Sequence, residues 1–474
     1  MRDVVVVGAG PNGLAAAIAL ARAGLTTLLV EAEHTPGGGA RTEELTLPGY
    51  RHDVCSTVHP LGAASPFFRS LKLERFGLSW IHPPAPLAHV LSEGEVVVLE
   101  RSVADTAERL GRDGPAYRSL MEPFAERFDE LAPMVLAGLR VPRSPLLLAR
   151  FGLVALRSMC GLARGRFREP AAGALLAGIA AHSMVPLDAA GTASFALVLG
   201  AAGHAVGWPI APGGSEAIVS ALLASYKEAG GELATGVRVS SLGDLPRARA
   251  YVLDVTPRQL LAIAGERFTP GYRRALERYR YGPGIFKMDW ALSEPIPWRD
   301  PACRRAATVH LSGDLAHIAL AEAMAHRDGV ADSPFVLLVQ PSLFDPGRAP
   351  PGRHTAWAYC HVPHGSDRDL TASFEALVER FAPGFKDCVL ARRATTARDL
   401  ERHNPNNIGG DIAGGMSDLR QLFFRPVVSL DPSATSAPDV FLCSSSTPPG
   451  GGVHGMCGYW AARSVMRKVF RLSP

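Results

Sequence analysis

Three glycines open the chemistry of this chain: Gly8, Gly10 and Gly13 stand in the order G-x-G-x-x-G within Gly8-Ala9-Gly10-Pro11-Asn12-Gly13. In that spacing the first permits a tight turn, the second lets backbone approach a pyrophosphate, and the third lets a helix pack closely on a strand. Glu31, followed by Ala32, supplies a carboxylate that can accept hydrogen bonds from both hydroxyls of an adenosine ribose and that repels a 2′-phosphate. Together these residues bind a dinucleotide. The elements that must position them surround them: residues 4–7 are a continuous valine run suited to a strand buried on both faces. Residues 14–23, rich in alanine, read as a slim helix whose first amides face the phosphates and which Gly24 stops. Residues 28–30 form a second buried strand ending at Glu31.

Two further glycine-rich stretches carry chemistry. In Pro36-Gly37-Gly38-Gly39-Ala40-Arg41 a flexible backbone lies beside a cation, which makes Gly38, Gly39 and Arg41 candidate phosphate contacts. Near the other end, residues 440–443 read as a strand, Ser444 to Gly452 as a glycine-rich turn, and residues 453–469 as a closing helix. A helix that starts after three glycines presents free amides and a positive dipole end, suited to negative charge on a reduced flavin ring. His454, in its first turn, can donate to such a ring or move a proton, and equally can serve as a packing or capping residue.

The bulk properties exclude other classes. A chain of 474 residues exceeds one compact core and implies two or three domains. Its net charge of +4 and lack of arginine or lysine tracts interleaved with aromatics give no support for nucleic-acid binding. The seven cysteines are scattered without a C-x-x-C, which fits a reducing, cytoplasmic compartment and excludes a disulfide reductase. No metal site is expected, because Pro363 interrupts the pair His361 and His364 and no further ligand completes it. No stretch of about twenty uncharged apolar residues is present to span a bilayer.

Between the two nucleotide-like ends, helices are expected over 66–73, 116–131, 215–229 and 371–381, and strands over 96–99, 232–239, 250–255, 285–291, 335–339 and 355–361. Residues 131–168 contain no acidic side chain, and Arg143, Arg150, Arg157 and Arg164 repeat every seven residues after Ser144-Pro145, a good helix start. This basic amphipathic helix reads either as a solvated domain face or as a surface that sits on anionic lipid.

Gly8 to Gly13 with Glu31, Pro36-Gly37-Gly38, and Thr447-Pro448-Pro449-Gly450-Gly451-Gly452-Val453-His454-Gly455 resemble the two ends of phytoene desaturase and carotenoid isomerase-type flavoproteins. Gly409-Gly410-Asp411-Ile412, Gln421-Leu422-Phe423 and Arg425-Pro426 are similar to the phytoene dehydrogenase-related branch. The resemblance covers about the first sixty and last seventy residues, with 208–239 and 252–257 as a weaker middle block. It implies an α/β architecture in which a Rossmann-like FAD-binding domain (1–65, 206–265, 401–474) is interleaved with an α+β substrate domain (66–205, 266–400). It also implies FAD held across both chain ends. By motif, Gly8, Gly10, Pro11, Asn12 and Gly13 meet the pyrophosphate, Glu31 and Ala32 the adenosine ribose, Val237 the adenine through its backbone, and Thr447, Gly452, Val453, His454 and Gly455 the flavin end.

The activity so implied is removal of hydride from a hydrophobic, polyene or isoprenoid, substrate to flavin N5, with oxygen or a quinone as final acceptor and His454 as the catalytic candidate. Flavin-dependent double-bond isomerisation and non-catalytic binding of a prenyl or acyl chain are the alternatives. Three departures stand out. Gly39 occupies the place where an arginine commonly follows the second glycine pair, the link between the middle strands is short, and His454 stands where relatives often carry proline.

Overall fold

The valine run forms the middle of a five-stranded parallel sheet. In this computed structural model, which describes residues 2–472 apart from 93, 312, 328 and 332, the strand order is Val440–Leu442, Ala248–Leu253, Arg2–Val7, Thr27–Val30, Glu232–Ala234. Val4 and Val6 pack on one face with Leu14, Ala17 and Ile18. Val5 and Val7 pack on the other with Leu253, Leu260 and Phe268. Both faces are covered, so the strand reads as a continuous apolar run rather than an alternating one.

The first helix, Pro11–Arg22, starts three residues before the expected position, because Pro11 fits the first helical turn directly after Gly10. The closing helix, expected over 453–469, is Met456–Val465 followed by a π-helical turn, Met466–Phe470. Gly455, with φ +67°, caps its start, so His454 precedes the helix rather than standing in its first turn. The closing helix packs across the first one. The expected strand over 232–239 is only Glu232–Ala234: Gly236 turns the chain, and Val237 N–H donates to the Glu31 carbonyl. The expected helix over 116–131 is two helices, Gly114–Ala125 and Phe128–Val135.

A second, mixed sheet has seven strands in the order Val389–Thr395, Gly284–Leu292, His354–Val362, Val336–Val339, Ala306–Leu311, Ala85–Val90, Val96–Leu99. Three of these are absent from the sequence reading. Ala85–Val90 and Ala306–Leu311 are rich in small residues and wholly buried, so no alternation marks them. Val389–Thr395 is a polar edge strand. One face packs on the buried helices Pro170–Ala180 and Ala193–Ala205, through Leu337, Val339 and Trp357.

The arginine-rich segment is not one helix. It splits into Pro145–Ala155 and Met159–Arg166, bent by 92°. Ser158 caps the second helix by accepting from Gly161 N–H, and the turn buries Met159, Cys160, Leu162 and Ala163. Arg157 is drawn back to the Gly161 carbonyl and Arg166 to the Ala116 carbonyl, so both are tied to the fold. In the first helix Leu147 (3% exposed) and Phe151 (7%) turn inward, while Leu146 (85%) and Leu153 (79%) stand in solvent. Among the described residues no single helix is long and apolar enough to cross a membrane, and all seven cysteines are free.

Candidate functional site

The first turn is shaped by its glycines. Gly8 has φ +95°, and a Cβ on Gly13 would fall 1.9 Å from the Gly8 carbonyl oxygen, so only glycine lets the helix sit this close. Gly38 folds back onto the same turn, its missing Cβ 3.3 Å from Gly10 Cα. The Glu31 carboxylate accepts Ala9 N–H at 2.6 Å and Glu33 N–H at 3.0 Å, which fixes it at the end of its strand.

A cavity of about 830 Å³ runs from this turn to the underside of the second sheet. Gly8, Gly10, Pro11, Asn12, Glu31, Ala32, Gly38, Gly39, Arg41, Val237, Gly452, Val453 and His454 line it, which brings the two ends of the chain into one wall. Three expected contacts stand behind that wall. Gly13 packs against Gly8, the Thr447 hydroxyl donates to the Ser444 carbonyl, and Gly455 packs under Phe68 and Ala15. The N–H of Val237 is already taken, so only its carbonyl is left for a base. Arg41 is buried and tied to the Gly38 carbonyl (3.1 Å) and His403 (2.9 Å), which makes it a brace of the glycine loop as well as a cavity cation.

His454 is buried, and burial lowers its pKa to about 4 against the opposing Gly451 and Gly450 backbone. Its Nδ1 accepts Met456 N–H at 3.0 Å, which leaves the proton on Nε2, an atom without a hydrogen-bond partner among the described residues. At neutral pH this side chain is therefore a donor and not a charged acid.

Several site residues escape the sequence reading. Asp254 follows the strand Ala248–Leu253 and accepts Gly13 N–H at 2.8 Å. Burial, opposed by that bond and reinforced by Glu31, raises its carboxyl to about 7. Its position at the end of a parallel strand was the available signal. Arg425 is buried on the cavity wall and donates to the carbonyls of Gln421 (3.0 Å), Ser445 (3.0 Å) and Met416 (3.3 Å), with no carboxylate ion pair among the described residues. Beside Gly450 and within electrostatic reach of the buried Asp411 carboxylate, this guanidinium places positive charge on the cavity wall.

The third group, residues 53–59, is a largely buried junction between the sheets. Asp53 is pushed up by burial, yet Arg348 Nη1 at 2.8 Å, Ser215 N–H and the Thr57 and Thr42 hydroxyls hold it at about 2. Thr57 also accepts from Trp357 Nε1 at 2.8 Å, and His59 meets Ser215 Oγ at 2.8 Å. Long-range partners of this kind leave no local sequence pattern.

Residues 6–71 match the family model of the NAD(P)-binding Rossmann-like domain. A dinucleotide cradle built from both ends of the chain and opening beneath a second sheet defines the class: the chain is an FAD-dependent oxidoreductase. It is similar to pyridine nucleotide-disulfide oxidoreductase domain-containing protein 2 of Mus musculus, 26% identical over 552 residues that cover 98% of this chain and 94% of the relative. It is also similar to a lycopene-forming phytoene desaturase of Paracoccus sp., 23% identical over 496 residues, 96% and 95% of the two chains. Among solved structures, a redesigned putrescine oxidase shares the fold with a TM-score of 0.64 and 16% identity, covering 100% of this chain and 99% of that one.

Proposed function

We propose that this protein is a dehydrogenase that desaturates a hydrophobic, polyene or isoprenoid, substrate. The observation that carries the reading is the continuity of one cavity. Its cradle half is lined by glycines and Glu31, and its other half by Leu148, Phe151, Phe195, Val198, Leu337 and Trp357. The cradle fits FAD: it has an open glycine turn at a helix N-terminus and the buried guanidinium of Arg425 on its wall.

When bound there, FAD supplies hydride acceptance at N5. Gly8, Gly10, Pro11 and Asn12 hold the pyrophosphate, Glu31 the ribose, and Gly452, Val453 and His454 the flavin end. His454 Nε2–H donates a hydrogen bond, and Arg425 offsets negative charge. The apolar walls orient the substrate and exclude water. Residues 66–205 and 266–400 act as the substrate domain.

Substrate entry by way of a membrane surface fits the cavity rim. Leu139 and Arg140 line the cavity, and beyond them Val141, Leu146 and Leu153 are exposed beside Arg143 and Arg150. Exposed leucines with neighbouring arginines suit anionic lipid. Oxygen or a quinone takes the electrons onward.

The test is anaerobic mixing of the flavin-loaded protein with a panel of polyenes and isoprenoids. Bleaching of the flavin with a product lighter by two hydrogens supports desaturation. A product of unchanged mass supports isomerisation, and no flavin response across the panel overturns both enzyme readings.

A further inference from the structure

The inner wall of the cavity beneath the second sheet is mainly apolar, with Thr308 among its few polar side chains. His182, at the end of the buried helix Pro170–Ala180, and Tyr359, on the central strand His354–Val362, both line it. Around them stand Ile285, Leu337, Val339 and Trp357. The Tyr359 hydroxyl and His182 Nδ1 face each other at 3.5 Å, longer than a well-formed O–H···N bond, so the pair keeps hydrogen-bonding capacity for a third group.

Behind this pair the fold has invested further in polarity. His310 lies 5.5 Å from His182, ring centre to ring centre, and His89 lies 5.7 Å from His310. Neither nitrogen of His310, nor His182 Nε2, nor His89 Nδ1 has a hydrogen-bond partner among the described residues. Buried polar atoms without partners cost free energy, and a core serving only packing would place apolar side chains here.

We propose that this wall receives an uncharged oxygen function of the substrate, a hydroxyl or a carbonyl, bound between His182 and Tyr359. The assignment rests on the apolar-substrate reading above and narrows it from a pure hydrocarbon to an oxygenated one. A carboxylate does not suit the wall, because the arginines that line the cavity are engaged elsewhere. Arg41 binds the Gly38 carbonyl, Arg425 the Ser445 carbonyl, Arg238 pairs with Glu33, and Arg140 stacks on Trp460. Lys287, behind Trp357, is held by both oxygens of Asp289 at 2.5 and 2.6 Å. Glu322 is likewise occupied, by His361 at 2.8 Å. Burial, with a contribution from His361, lowers His182 to about 3, and burial raises the Tyr359 phenol, so both groups are neutral hydrogen-bonding partners near pH 7.

Four probes that differ at one end test the assignment: farnesene, farnesol, farnesal and farnesoic acid, each titrated anaerobically into the FAD-loaded protein while the flavin spectrum is followed. The alcohol and aldehyde are expected to bind about tenfold more tightly than the hydrocarbon and the acid, the scale of one buried hydrogen bond. His182→Leu and Tyr359→Phe are expected to bring them to the hydrocarbon level with flavin content unchanged. Tyr359→Phe removes a single oxygen and reports even where His182→Leu fails to load FAD. Equal binding of hydrocarbon and alcohol, tightest binding of the acid, or a preference that survives in Tyr359→Phe overturns this assignment alone. Failure of all four probes to perturb the flavin overturns both it and the apolar-substrate reading.

Discussion

Gly458 lies against Asn12: a Cβ on Gly458 would stand 1.8 Å from the Asn12 carbonyl oxygen and 2.9 Å from Ala16 N. The closing helix therefore touches the first turn of the opening helix backbone to backbone, and this contact registers the two halves of the cradle.

Gly458→Ala is expected to force the two helices apart, cost about 1–3 kcal/mol as overpacking in a tight core, and leave the protein flavin-poor. Thermal unfolding and the flavin-to-protein absorbance ratio check this; a variant with native melting and full flavin would refute the split cradle.

Asp254 gives the cradle a pH dependence. Its carboxyl, raised to about 7 by burial, is neutral below that pH and anionic above it, next to Gly10 and Gly13. Reconstitution of the apoprotein with FAD is expected to weaken about tenfold as pH rises from 6 to 8, since a carboxylate repels a pyrophosphate. Asp254→Asn keeps the acceptor for Gly13 N–H and is expected to flatten the profile. An unchanged profile in that variant counts against the argument.

Buried imidazoles set the acid stability. His52, His59, His89, His204 and His454 are each lowered to about 4, and His182 to about 3, with burial as the leading cause. Unfolding returns them to their ordinary value of 6.5. Below pH 6.5 the unfolded chain thus takes up protons that the fold refuses. Stability is complete above 6.5 and falls towards pH 4, by about 1.4 kcal/mol per pH unit for each imidazole. Asp53, held at about 2, extends the loss below pH 4. Asp254 and Asp411, both raised by burial, act in the opposite sense but are outnumbered by the buried histidines. Melting temperature is expected to drop markedly between pH 7 and pH 5; equal values would refute the neutral-histidine assignment.

Arg425→Met removes donors from three carbonyls and is expected to cost about 2–3 kcal/mol together with flavin affinity. Arg425→Lys keeps the charge but not the fork, so it is expected to retain flavin better than Met while melting below wild type. Equal flavin loss in both would assign Arg425 to structure alone.

The double variant Leu146→Asp, Leu153→Asp tests the cavity rim. Both side chains are exposed, so the fold and flavin content are expected to persist. Co-sedimentation with anionic vesicles is expected to fall several-fold. Equal sedimentation with anionic and neutral vesicles in the wild type would end the membrane reading.

The sequence by itself determined the nucleotide end of this protein. Strand, glycine turn, helix, strand and Glu31 are consecutive, each element forms from local pattern, and both hydrogen bonds to the Glu31 carboxylate come from nearby residues, Ala9 and Glu33. The closing turn was legible for the same reason. What only the tertiary structure decided is which side chains converge from far apart. Asp254 reaches Gly13, Arg348 reaches Asp53, and His182 meets Tyr359 across 177 residues. It also decided the break at Ser158, because a heptad of arginines records spacing along a helix but not the burial of Met159 and Cys160 that bends the chain. Local periodicity is written in neighbours; a site assembled from two sheets and both chain ends is written in contacts whose partners are separated by most of the sequence.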